Sequence, residues 1–241
     1  MRFLRLFWFH LRLYSKDQYF FWLTVTSTIS IFLMQYVVAF ANHQTGDTTI
    51  WLRSGVFGLW SSATTAAGSI TFQRFQGTLK YLVNSRTDER ISLAALVMPA
   101  ASFGLLSFPI AFLMAVLTQT GHSNLSWAIV GNMVGLWCGA VIMDLFISSF
   151  FVLTRNALVY EGLVTIPILV LSGLFGTPAI FRPLIAIGQW IIPIAAPVNR
   201  LLNNGSNFLW VQFITSSVLW IVLAWRLSGR LIQTYRKQGV L

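Results

Sequence analysis

The sequence predicts an all-α, polytopic membrane protein, and three observations carry that expectation. Of 241 residues, 56% are hydrophobic and 15% aromatic, yet only 9% are charged, against roughly 25% in soluble domains. Mean hydropathy is +0.72, and six apolar segments approach the ~20 residues that a helix needs to cross the hydrocarbon core. Finally, the basic residues gather beside those segments in alternate loops, so that most of them fall on one side, as membrane topology demands. This composition excludes disordered, collagen-like and disulfide-rich classes. The net charge of +10 therefore points to membrane flanks rather than to nucleic acid.

Residues 1–18 read as an amphipathic helix lying in the membrane surface. At 100° per residue Arg2, Arg5, Arg12 and Lys16 share one arc, while Phe3, Leu4, Phe7, Leu11 and Tyr14 occupy the other side. The following apolar run ends in Ala39-Phe40-Ala41, which imitates a signal-peptidase site. At about twenty residues it exceeds an h-region of roughly 7–15, and is expected to be a retained first span. Residues 19–241 then form one transmembrane domain, with spans expected at 19–40, 54–72, 91–117, 127–153, 158–175 and 207–229. Between the last two lies an apolar stretch, 176–206, holding Pro178, Pro183, Pro193 and Pro197. Proline at that density forbids one straight helix, so two short helices dipping into the outer leaflet are expected, their freed backbone groups covered by protein.

Charge placement sets the orientation. Thirteen of the sixteen Lys and Arg residues fall on one side in the six-span arrangement, leaving Arg53, Arg182 and Arg200 opposite. Both termini are thus expected in the cytoplasm of a bacterial-type cell. Trp51, Trp127, Trp190 and Trp210 fall near the expected outer boundaries, where aromatic belts form.

Several segments carry candidate function. In span two Ser54, Gly58, Ser61, Ser62, Thr65 and Ser69 form a stripe of small and hydroxyl residues, suited to close helix packing or to lining a path. The cytoplasmic segment 73–90 is too polar to span, and with the adjoining Phe72 it places Phe75, Leu79, Leu82 and Val83 on one helical face. Such a face rests in the membrane interface or inserts into a groove on another subunit. Asp144 lies about nine residues, or roughly 13 Å, from the end of span four, where an ionisable group is costly and defaults to a functional or structural pairing role. Arg155 and Glu161 flank the short turn between spans four and five. The single cysteine, Cys138, allows neither a disulfide framework nor a Cys-based metal site. No G-x-x-x-x-G-K-[ST] loop, H-E-x-x-H pair or G-x-S-x-G elbow is present, so no cofactor, metal or catalytic residue is expected in this chain.

Gln73-Arg74-Phe75-Gln76-Gly77-Thr78-Leu79-Lys80-Tyr81-Leu82 resembles the E-R-E-x-G-T-L-E-x-L motif that follows span two in ABC type-2 permeases, the membrane subunits of ATP-binding cassette exporters. Leu171-Ser172-Gly173-Leu174-Phe175, then Phe181-Arg182-Pro183-Leu184 and Pro193, is similar to the proline-rich sequence between spans five and six of that family. Gln73, Gln76 and Lys80 stand where the family commonly has Glu, and Thr177 precedes Pro178 where Phe-Pro is typical. The resemblance implies six spans, a cytoplasmic coupling helix and re-entrant helices near the outer face. It further implies two copies of a separate ATPase subunit carrying ATP and Mg, and a second permease subunit, identical or from a paired gene. Arg74, Phe75, Gly77, Thr78, Leu79 and Leu82, with Arg155 and Glu161, would dock on the ATPase. Ser61, Thr65, Ser69, Asp144 and Ser172 are candidates for the translocation path. An amphipathic drug or antimicrobial peptide is the expected cargo; polysaccharide or lipid export, antibiotic sensing without net transport, and an intramembrane enzyme are the alternatives.

Overall fold

The computed structural model describes residues 2–75, 89–121, 126–153, 157–203 and 209–237, with side chains described over 3–16, 18–68, 91–121, 126–151, 163–203 and 209–229. These residues are mostly helical, without a strand among them. In chain order the elements are α1 (Arg2–Asp17), α2 (Tyr19–Ala41), α3 (Ile50–Phe75), α4 (Glu89–Ser102), a 3₁₀ turn (Phe103–Leu106), α5 (Ser107–Leu117), α6 (Trp127–Leu153), α7 (Ala157–Leu171), α8 (Arg182–Ile191), α9 (Ala195–Leu202) and α10 (Trp210–Lys237). Among the described residues, four stretches are long and apolar enough to cross a membrane: Tyr19–Ala41, Ile91–Leu117, Trp127–Phe151 and Trp210–Gly229. The protein is thus an all-helical chain compatible with a bilayer. Neither α3 nor α7 is among the four: α7 has 15 residues, and α3 is interrupted by Ser, Thr and Gly.

The third apolar run is not one continuous helix. The 3₁₀ turn at Phe103–Leu106 joins α4 to α5, between Pro99 inside α4 and Pro109 in α5. Each proline withdraws an N–H from the helical ladder and crowds the preceding turn. Gly104 lies in the turn because α3 runs directly beneath it: a Cβ there would stand 2.9 Å from the Leu59 carbonyl oxygen and 3.0 Å from Leu59 Cα. The break therefore seats one helix on another's backbone.

α3 is the axis of the bundle, packed against α2, α4, α5, α6, α7 and α9. Its small residues permit that crowding. A Cβ on Gly58 would strike Thr28 Oγ1 of α2 and stand 2.7 Å from Ser107 Cβ of α5, so three helices converge on a glycine. Ser107 Oγ donates a 2.6 Å hydrogen bond to the Gly55 carbonyl, tying α5 to α3 across 52 residues of sequence. The other hydroxyls at this junction turn back on their own helices. Thr28 donates to the Thr24 carbonyl at 2.7 Å and Ser54 to Ile50 at 2.8 Å, which removes the cost of burying them unpaired. Trp51, Leu59 and Trp60 fill the surrounding core.

Three helix ends share one stop. At the end of α7, the Gly173 N–H donates to Val170 at 3.0 Å and the Leu174 N–H to Leu169 at 3.3 Å, with Gly173 at φ +82°. This is a Schellman stop, completed by contact between apolar residues on either side of it; Leu169 and Leu174 are both fully buried. α2 and α5 end in the same pattern at His43 and Gln119, with φ of 55° and 54°, although neither is glycine. The stop at Gly173 ends α7 four residues before the expected 175. α8 and α9 follow, with 10 and 8 residues, each too short to cross ~30 Å of hydrocarbon. Pro183 starts α8, where a missing N–H is harmless, and Ile192 is extended (ψ 113°) as the residue before Pro193 must be. Gly188 of α8 packs on the Leu171 carbonyl, and Trp220 Nε1 of α10 donates 2.6 Å to the Ile191 carbonyl, so this short pair is held from both sides.

Candidate functional site

Along α3 from Ile50 to Gly68, every residue is buried except Arg53, Phe57, Ser61, Thr65 and Gly68. Their spacing of four, four, four and three keeps them on one side of the helix, so the central helix is open along a single ridge. At 1.5 Å per residue this ridge runs for about 22 Å, most of the thickness of a hydrocarbon core. Ser61 and Thr65 lie in its middle, one turn apart, and each is only partly buried. A cation marks one end of the ridge: Arg53 is half-buried, and its Nε makes no hydrogen bond.

The other expected path residues lie elsewhere. Asp144 is completely buried in α6, on a face shared with Ala140, Ile147, Ser148 and Phe151, all of them at most 5% exposed. Ser172 is buried at the end of α7 and donates 2.8 Å to the Leu169 carbonyl, so its hydroxyl belongs to the helix stop. The Ser69 side chain lies outside the described residues. Of the stripe Ser54, Gly58, Ser61, Ser62, Thr65 and Ser69, Ser54, Gly58 and Ser62 are enclosed, and only Ser61 and Thr65 reach the open side. Sequence reasoning missed Arg53 and Phe57 as members of the ridge, since selecting on small and hydroxyl type passes over them.

The docking candidates fall at the limits of the description. Arg74 and Phe75 form the last residues of α3, which continues unbroken from Ile50 to Phe75; their side chains lie outside the described residues. Gly77, Thr78, Leu79, Leu82 and Arg155 lie wholly outside them. Glu161 is in the second turn of α7, again without a described side chain.

α1 is built with two unlike faces. Phe3, Leu6, Phe7, His10, Leu11 and Tyr14 are buried or half-buried, and α1 packs chiefly along α4. Leu4, Trp8, Phe9 and Leu13 are exposed, as are Arg5, Arg12 and Lys16. Leu4 therefore parts from the apolar set with which its helical angle groups it, because α4 covers an arc centred nearer Phe3, His10 and Tyr14. A file of rings ties α1 to the bundle: His10 stacks on Tyr14 at 6.0 Å, Tyr14 meets Phe20 edge-on at 5.0 Å, and Phe20 stacks on Phe103 at 6.4 Å. Gln18, at φ 55°, is the one-residue elbow between α1 and α2. Burial lowers the His10 pKa from the ordinary imidazole value, so the ring is kept neutral.

Among the described residues, no three His, Cys, Asp or Glu side chains converge as a metal site would require. No family model, curated protein or solved structure matches the chain.

Proposed function

We propose that the chain is the membrane subunit of an ATP-driven exporter of the ABC type-2 permease class, working with a separate ATPase and a second permease copy. The ridge on α3 carries this reading. A helix enclosed on all sides but one, and open along nearly the full depth of a bilayer, offers half of a channel wall that another copy completes. Ser61 and Thr65 supply hydroxyls at mid-depth while Phe57 supplies an apolar ring, a mixed lining suited to an amphipathic drug or antimicrobial peptide. In this reading α3 and α7 also cross the bilayer, giving six spans with both termini cytoplasmic, and α8 and α9 re-enter from the outer face. α3 tolerates its polar content because protein, not lipid, surrounds it.

The engine lies outside the chain. The expected segment 73–90 begins within α3, which runs to Phe75, so a displacement of Gly77 to Leu82 by an ATPase is delivered to the helix that carries the ridge. For ATP to drive transport it must stabilise one arrangement of this unit over the other.

The test is export from inside-out vesicles containing the full-length protein and its ATPase, with Ser61→Trp and Thr65→Trp compared with Val218→Trp on the lipid-facing side of α10. Block by the first two, with the ATPase still co-purifying and Val218→Trp active, is expected. Undiminished export by both ridge variants would remove α3 as the path. Leu79→Asp is expected to keep insertion but uncouple ATP hydrolysis from export, because a charge does not enter an apolar groove cheaply.

A further inference from the structure

An apolar cavity of about 330 Å³ lies where α1, α4, α6 and α10 meet. That volume is at the lower end of the roughly 300–1,000 Å³ typical of small-molecule sites. Its walls include Phe3 of α1, Ile91 and Ala94 of α4, Leu145 of α6, and Ala224 and Trp225 of α10. Two hydroxyls reach it, but neither is offered to a ligand. Ser149 Oγ donates to the Leu145 carbonyl at 2.9 Å and Ser228 Oγ to the Trp225 carbonyl at 3.1 Å. What remains is methylene, methyl and ring surface, so a polar or hydrogen-bonding ligand would lose its hydration for nothing in return.

We infer that this cavity holds one acyl chain of an anionic phospholipid from the leaflet on which α1 lies. Three observations select that occupant. The rim opens outward, since Ile91 is 44% and Trp225 58% exposed, so a chain enters sideways from the bilayer without crossing the bundle. A void of this size beside lipid is filled, because an empty apolar cavity forfeits the contacts of all its lining. The same end of the bundle is cationic: Arg5 and Arg12 on α1 and Arg226, next to Trp225, are exposed. Exposed guanidinium groups at a membrane surface attract anionic headgroups. The chain thereby wedges against Phe3 on the inner face of α1, and the lipid becomes part of what holds α1 to α4. The inference requires only that the stretch of α4 and α5, α6 and α10 cross a bilayer, and stands whether or not the protein exports anything.

The experiment uses the full-length protein in vesicles of phosphatidylcholine, or of phosphatidylcholine with phosphatidylglycerol, each lipid in turn carrying a nitroxide near the end of its chain. The immobilised fraction of the spin label is read. Wild type is expected to immobilise phosphatidylglycerol in preference to phosphatidylcholine. Filling the cavity by Ala224→Phe is expected to lower that fraction by roughly tenfold in affinity. Removing the charge of Arg5 or Arg226 (Arg5→Gln, Arg226→Gln) should weaken the headgroup preference by roughly fivefold each. Both arginines are exposed, so these two variants carry the test if Ala224→Phe does not fold, and Ala94→Leu provides a second filling substitution. Equal immobilisation of the two lipids by wild type, or retention of the wild-type fraction by a folded cavity-filled variant, overturns the assignment.

Discussion

α3 and α10 are both long helices, and they solve opposite problems. α10 packs mainly on α6 and turns Val211, Ile214, Val218, Leu219 and Val222 outward, so its exposed side is apolar and needs nothing specific from its surroundings. From Ile50 to Gly68 α3 leaves only its ridge partly uncovered, and its interior positions hold Gly55, Gly58, Ser54, Ser62 and Thr64 beside Trp51 and Trp60. The difference teaches that hydropathy reports how much of a helix its neighbours leave uncovered. A helix wrapped in other helices is released from the demand to be oily, and is held instead to close fit.

Close fit fails at single atoms, so the largest expected effect is on α3. Gly58→Leu drives a branched side chain into Thr28 and Ser107; a loss of about 3 kcal/mol is expected, from overpacking against two short side chains that are themselves buried between helices. Detergent thermal melts and yield of monodisperse protein would read it, and a variant as stable as wild type would break the comparison. Ser107→Ala removes the α5 to α3 hydrogen bond while leaving the helices in place, and about 0.5–1.5 kcal/mol of destabilisation is expected by the same melt.

α1 repeats the contrast within one helix, with His10 enclosed and Trp8 exposed. Because burial lowers the His10 pKa, the folded protein binds this proton less readily than the unfolded chain. The docked state is then fully favoured above the ordinary imidazole pKa, and loses ground as pH falls through it. Proteolysis within α1 should accelerate progressively as the pH falls below the ordinary imidazole range, and His10→Phe should abolish that dependence. The smallest effect belongs to α10: Val218→Ala, on an exposed position, should change stability by less than about 0.5 kcal/mol. A large loss there would mean that α10, too, has a fitted partner on that side.

Much of the architecture was legible in the chain. The starts of α2 and α6 and the ends of α5 and α6 fall where the apolar runs do, because the pattern that excludes water is local. The break at Phe103–Leu106 was signalled by Pro99 and Pro109, but hydropathy averages across it. α7 stops at Leu171 because Gly173 adopts a left-handed conformation; the apolar run continues to Phe175, so composition alone extends the helix too far. The ridge was half legible. Ser61 and Thr65 stand out as hydroxyls, but which arc of α3 opens depends on where α2, α5, α6 and α7 stop covering it, and no residue on α3 encodes that.

By itself the sequence determined that the chain is helical, apolar and basic at its flanks, since these follow from residue type and period alone. Tertiary structure decided that Gly58 is a three-helix contact, that Asp144 and Ser172 are enclosed, and that α1 shows one face to α4 and another outward. Those outcomes turn on which surfaces are covered by neighbours distant in sequence, and burial is a property of the packed assembly rather than of any residue within it.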